Sequence, residues 1–162
     1  MVTQRLYKSV LLTRKIEIPI TNIGEHLDDV LYKRLVQLLE GKCSVEGYFK
    51  KDSIVVKSYS SGRIIRGNKI LFDVVFKAYV CMPVDGMILK TKVVNITKAG
   101  IKGEIDKLSD SPLIIYVMRD HFNENKTFNT VKLGDIITIR VIGQRHEINN
   151  SKIYIIGELL SN

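Results

Sequence analysis

Few residues of this chain could do covalent chemistry, and their spacing does not assemble a catalytic group. Three histidines (His26, His121, His146) and two cysteines (Cys43, Cys81) are scattered, without the short intervals that gather zinc ligands. His146 precedes Glu147 but lies in a polar, Asn-rich stretch that reads as a surface turn. His121, in Arg119-Asp120-His121-Phe122, has a carboxylate neighbour but no nearby nucleophile to activate. A Walker-type phosphate loop, GxGxxG after a strand, GxSxG and HExxH are all missing. Asp106, Asp110 and Asp120 are too dispersed for the clustered carboxylates of a nuclease. The residues point away from an enzyme and ask for no metal and no cofactor.

Binding chemistry is better represented. A single-stranded nucleic acid is held by cations that follow its phosphates and by flat side chains that stack on its bases. Lys90 and Lys92 lie two apart in an apolar run, so in a strand they share a face. Lys98 and Lys102 bracket the next turn, Arg140 interrupts a later strand, and Arg145 begins the turn after it. Tyr116, His121 and Phe122 supply rings. The same residues also suit a solvated barrel surface with its rings in the core, and the sequence leaves both readings open. The net charge of +8 favours polyanionic partners. It is concentrated in residues 1–81, with 14 Lys and Arg against 8 Asp and Glu, compared with 11 against 9 in residues 82–162.

Mostly strands must position these groups. Residues 5–20 read as a strand in which Val10, Leu12, Ile16, Ile18 and Ile20 share a buried face. Leu27, Val30, Leu31, Leu35, Leu38 and Leu39 recur at helical steps and predict a helix over 25–40, stopped by Gly41. Residues 43–49 and 54–59 are expected to pair as a hairpin across the turn 50–53. Residues 62–68 read as a basic, apolar loop between Gly62 and Gly67, followed by a long strand over 70–82. Pro83-Val84-Asp85-Gly86 is the clearest break and divides the chain into domains 1–82 and 83–162. Beyond it, strands are expected over 87–95, 101–105, 113–118, 136–142 and 153–159, with turns at 98–100 and 144–152. Five short strands with a longer connection between the third and fourth predict an OB-type barrel. The fold class is therefore α+β, mostly β: a sheet with one helix, then a five-stranded OB-fold barrel. No apolar run reaches the roughly 18 residues of a membrane span, and the first residues do not form a signal peptide. The two cysteines, both in apolar runs, are expected as buried, reduced thiols of an intracellular protein.

The order of these elements resembles the barrel-bearing stalk subunit of archaeal and eukaryotic-type DNA-directed RNA polymerases, which in eukaryotes is the seventh-largest component of RNA polymerase II. The resemblance rests on a leucine-striped helix ending in Gly41-Lys42-Cys43, Gly62-Arg63-Ile64, the run FDVVFKAYV at 72–80, and Asp85-Gly86 opening a barrel. It implies a truncated RNP-like tip domain whose loops plug into the polymerase core. Gly62, Arg63, Ile64, Ile65 and Arg66, with Ile23 of the loop 19–24, would form that contact. It further implies an OB barrel near the RNA exit path, touching nascent single-stranded RNA, and a second, smaller stalk subunit as partner. RNA-binding relatives of the barrel place an aromatic residue just after the glycine of the second strand, where this chain has Ile101. Weak, salt-sensitive and sequence-independent RNA binding is the expectation. The short hairpin and basic charge suggest a divergent lineage, such as a large DNA virus, which would place the protein in host cytoplasm and virion; a cellular eukaryotic homologue would be nuclear. The alternative is a free-standing OB-fold RNA-binding protein of translation or RNA processing.

Overall fold

A computed structural model describes residues 5–24, 26–105, 111–119 and 128–160. Tyr7–Cys81 forms one compact unit, and the segment after it forms another. The chain is mostly β, with one α-helix among the described residues.

The first unit is organised by strand β6 (Lys69–Cys81), whose alternate residues Phe72, Val74, Phe76, Ala78 and Val80 are buried. Strand β1 (Tyr7–Pro19) pairs antiparallel with it in unbroken register, from Tyr7↔Cys81 to Pro19↔Lys69. Three short strands share the other edge of β6. They are β3 (Gly47–Phe49), β4 (Val55–Tyr59) and β5 (Arg63–Ile65); β2 (Cys43–Ser44) extends the sheet beyond β3. Helix α1 (Leu27–Leu39) covers one face with Leu31, Leu35 and Leu39 buried, while Leu38 is left exposed in its last turn. Asp28 and Asp29 sit at its positive end. Gly41 follows in the left-handed conformation (φ +70°), which ends the helix at no steric cost to glycine.

The structure corrects three expectations. The segments 43–49 and 54–59 do not pair with each other. Instead β3 and β4 take successive stretches of β6, and the loop between them is stitched to that strand. Lys50 N–H donates to the Tyr79 carbonyl at 2.9 Å, and Tyr79 N–H donates to Ser53 Oγ at 3.2 Å. Residues 62–68 are not an irregular loop: β5 pairs with the start of β6, and Arg66-Gly67-Asn68 turns the hairpin. Gly67 (φ +82°) and Asn68 (φ +55°) both have the positive φ that tight hairpin turns demand. Ile20, expected inside, is exposed, because the chain leaves the strand at Pro19 for a short 3-10 turn, Ile20–Asn22.

The second unit is a closed barrel. Its strands are β7 (Ile88–Ile96), β8 (Gly100–Ile105), β9 (Leu113–Met118), β10 (Ile136–Arg145) and β11 (Ile153–Leu159). They run β7-β8-β9-β11-β10 and back to β7, with β11 parallel to β9 and all other pairs antiparallel. This is an OB-like barrel. Leu89, Val93, Ile101, Ile115, Val117, Ile139, Val141, Ile153 and Ile155 fill its interior. Two glycines let the wall close. A Cβ at Gly100 would lie 2.2 Å from the Val117 carbonyl oxygen, and one at Gly103 would lie 2.2 Å from Thr91 Cγ2. Strand β10 runs to Arg145, so Gln144 and Arg145 belong to the strand rather than to the turn after it.

Cys43 and Cys81 are both buried thiols outside any disulfide, on either side of Tyr48 in the register Cys43↔Tyr48↔Cys81. Two strand spacings, about 10 Å, exceed the roughly 7 Å Cα separation that a disulfide spans. Burial raises both thiol pKa values, that of Cys81 to about 12, which leaves it inert. Among the described residues no helix is long and apolar enough to cross a membrane.

One ion pair ties β1 to the β2–β3 turn. Arg14 Nη2 lies 2.5 Å from Glu46 Oε2, which also accepts from Ser44 Oγ at 2.5 Å. Burial alone would raise the Glu46 pKa, but the hydrogen bonds from Arg14 and Ser44 outweigh it and hold the carboxyl below its ordinary value. A depressed folded pKa contributes stability above the unfolded value near 4.5, and that contribution disappears as pH falls through the folded one. Glu46→Gln is therefore expected to cost about 1 kcal/mol in urea unfolding at neutral pH, and progressively less as the pH falls below the unfolded value near 4.5. An equal cost at neutral and acid pH would show that the charge pair is not the source.

Candidate nucleic-acid interface

Strand parity divides the barrel residues into an inside set and an outside set. On β7, Leu89, Thr91 and Val93 face inward, and Lys90 and Lys92 face solvent. On β8, Ile101 and Gly103 face inward, and Lys102 is half-exposed on the outer surface. Ile101 therefore fills the core at 2% exposure, and Lys102 is the outward residue beside it. Lys102 is the direct cross-strand partner of Tyr116 on β9. A cation and a ring are thus neighbours on the outer face of the second and third barrel strands, where OB folds commonly hold oligonucleotides.

Lys98 stands at the apex of the hairpin between β7 and β8. The turn is closed by Thr97 N–H to the Gly100 carbonyl at 2.8 Å and by the reverse bond at 3.3 Å. This places Lys98 at the end of the Lys102–Tyr116 strand pair. Among the described residues, Lys90, Lys92, Lys98 and Lys102 meet no carboxylate within ion-pair distance. Lys92 is, however, the register partner of Glu104 on β8, which offsets part of its field toward an anion.

The arginines stand differently. Arg140 is exposed on β10 but pairs with Glu158 of β11 at 3.6 Å. Arg145 reaches Glu147 at 3.2 Å. Both pairs are solvent-exposed, so an incoming phosphate can exchange for either carboxylate at small cost. Lys90, Lys92 and Arg140 together occupy the β7–β10 surface, in the register Lys90↔Thr138 and Ile88↔Arg140. The seven candidate residues therefore form two groups. Lys98, Lys102 and Tyr116 lie along β8–β9, Lys90, Lys92 and Arg140 along β7–β10, and Arg145 lies at the end of β10, beside Tyr154 of β11. His121 and Phe122 lie outside the described residues.

Two outward side chains escaped the sequence reading. Tyr154 and Ile156 of β11 are 40% and 43% exposed. Ile156 is the register partner of Tyr116, and Tyr154 is flanked by Ile114 on one side and Arg145 on the other. The row Lys102–Tyr116–Ile156 and the neighbouring row Ile114–Tyr154–Arg145 give the outer face of β9 and β11 two rings between two cations. The alternation in Ile153–Leu159 already marks Tyr154 as outward. Its position beside β9 follows only from the parallel pairing that closes the barrel.

In the first unit, the residues expected to dock also separate. Gly62, Arg63, Ile64 and Arg66 are exposed on the β5–β6 hairpin, with Ile64 at 79%, and Ile65 is half-buried. Ile64 and Ile65 thus form a short strand, but on an edge and outside the core. A Cβ at Gly62 would meet Ile70 Cγ2 at 2.4 Å and the Phe72 ring at 2.9 Å, so glycine lets the hairpin lie against these side chains. Ile23 departs from expectation. It is half-buried and, like Leu27 and Val30, packs against the core cluster, just after the 3-10 turn Ile20–Asn22. Among the described residues no group of three or more His, Cys, Asp or Glu could hold a metal.

If the β8–β9 face is the nucleic-acid surface, Lys102→Glu with Tyr116→Ala should weaken binding of single-stranded oligouridine by about tenfold or more, since one stacked base is worth about 1–3 kcal/mol. Lys90→Glu with Lys92→Glu should weaken it less and mainly flatten the salt dependence, by about 0.7 in log-log slope for each phosphate no longer neutralised. Fluorescence anisotropy at low and moderate salt distinguishes the two pairs, and the opposite ranking would move the interface to β7–β10. No protein-family model matches this chain.

Proposed function

We propose that the chain is a non-catalytic stalk subunit of a multi-subunit DNA-dependent RNA polymerase. Its helix-backed sheet is an RNP-like tip that docks on the largest subunits of the core, and its barrel holds nascent single-stranded RNA. The observation that carries this reading is Ile64. An aliphatic side chain that is 79% exposed, on a basic hairpin held by a glycine, is unfavourable in water and suits insertion into a protein pocket. Arg63 and Arg66 flank it with charges for the rim of such a pocket. The collinear order of a tip-like sheet and an OB-like barrel with a cationic, ring-bearing face supports the same reading. A smaller stalk subunit would complete the assembly.

The mechanism is mechanical and electrostatic. Docking through the hairpin biases the polymerase clamp, and the barrel retains RNA through phosphates and stacking without reading sequence. Free lysines give fast, salt-sensitive contacts that let the transcript slide as it lengthens.

The test is affinity purification of the tagged chain from its native or infected cells at moderate salt, followed by mass spectrometry. Large polymerase subunits and one small partner in fixed stoichiometry are expected with the wild-type chain. Ile64→Asp with Ile65→Asp should lose the large subunits while retaining the wild-type circular dichroism spectrum and RNA affinity. Recovery of RNA with ribosomal or processing factors, and of no polymerase subunit, would support the free-standing OB-fold RNA-binding protein instead.

A further inference from the structure

A groove of about 780 Å³ opens between α1 and the last residues of β1. Ile18 of the strand, with Val30 and Val36 of the helix, gives it apolar walls. Lys33, Arg34 and Lys69 also line it, against Glu17 as the one carboxylate among the lining residues described. Lys69 is already paired with Glu17 at 3.3 Å. Arg34 donates to Gln37 at 3.1 Å, and among the described residues neither Lys33 nor Arg34 meets a carboxylate within ion-pair distance. The groove thus combines apolar walls with two uncompensated cations, which fits an occupant that is apolar and acidic.

The strand beside the helix offers a second kind of contact. β1 pairs with β6 alone among the described residues, so its other edge has no strand neighbour along Lys8–Pro19. The register is free of bulges, and the one proline stands at the very end. An edge this long and regular presents alternate N–H and C=O groups to any extended chain laid beside it. A second copy of β1 is a poor occupant. Even with Arg14 held by Glu46, Lys8 and Lys15 outnumber Glu17 on the strand, so two copies would bring like charges onto one ribbon.

We propose that the α1–β1 groove binds an extended, acidic and apolar segment of another polypeptide. The segment adds as a strand to the free edge of β1 and sets its carboxylates against Lys33 and Arg34. Main-chain hydrogen bonds supply the affinity, while the apolar walls and the cations select the side chains. This inference does not rest on the stalk reading, because the purified chain and a peptide suffice to test it.

The probe is a synthetic peptide alternating Glu and Val, fluorescently labelled and titrated into the full chain at moderate salt. Saturable binding is expected, weakened about tenfold by Lys33→Glu with Arg34→Glu. Amide hydrogen exchange should slow at alternate residues of β1 when the peptide is bound. N-methylation of alternate peptide nitrogens removes ladder donors without altering charge and should abolish binding. Absence of saturable binding overturns the proposal. Binding that survives N-methylation overturns strand addition, and binding indifferent to the charge reversal overturns the groove. Lys33→Ala with Arg34→Ala, at two exposed positions, repeats the charge test should the reversal disturb the fold.

Discussion

The first unit depends on one strand serving two edges at once. β6 gives its whole length to β1 on one side and divides the other among β3, β4 and β5. Its alternate residues Phe72, Val74, Phe76, Ala78 and Val80 are the floor on which α1 lays Leu31, Leu35 and Leu39. Removing apolar area from water on this face is the main favourable term, and the hydrogen-bond ladders keep the buried backbone satisfied while it happens. The exposed hairpin follows from the same arrangement. β5 pairs with the start of β6, where Ile64 lies opposite Ile70 on the floor side of the sheet but is left 79% exposed.

The barrel faces a different constraint, which is closure. Five strands form a closed wall where small residues let neighbouring strands approach closely. Gly103 packs against Thr91, Gly100 against the Val117 carbonyl, and Gly157 against Ile139. Closure sets the parity of every strand, and parity decides which side chains meet solvent. Lys102 and Tyr116 become neighbours because β8 and β9 pair, and Tyr116 gains Ile156 because β11 runs parallel beside β9. The outward row of cation and rings is thus a by-product of packing Ile101, Ile115, Val117 and Ile155 inside.

Electrostatics separates residues that look alike in sequence. Arg140 and Lys90 both interrupt apolar strands, yet Arg140 lies opposite Glu158 while Lys90 lies opposite Thr138. Arg14 is held by Glu46, whereas among the described residues Lys33 and Arg34 of the groove meet no carboxylate. A basic composition announces polyanionic or acidic partners, but the cations left unpaired by their own fold are the ones available to them.

Local elements are legible in the residues alone. Leucines at helical steps mark α1, Gly41 marks its end, and alternation marks β1, β6 and the five barrel strands to within a few residues. Such periodicity reports the two faces of a single element, which is why Lys90, Lys92 and Lys102 can be read as surface cations. Which edges meet emerges only on folding. The 43–49 and 54–59 segments each look ready to pair with the other, but β6 offers both a longer edge and a buried floor. Ile23 and Ile64 both read as loop isoleucines near a glycine, and folding packs one against the core cluster and leaves the other exposed on a hairpin. Tyr154 joins Tyr116 through a parallel pairing between strands separated by the whole of β10. The physical reason is that side-chain period is a local property, whereas strand partners are settled by competition among all edges of the chain for the largest buried surface.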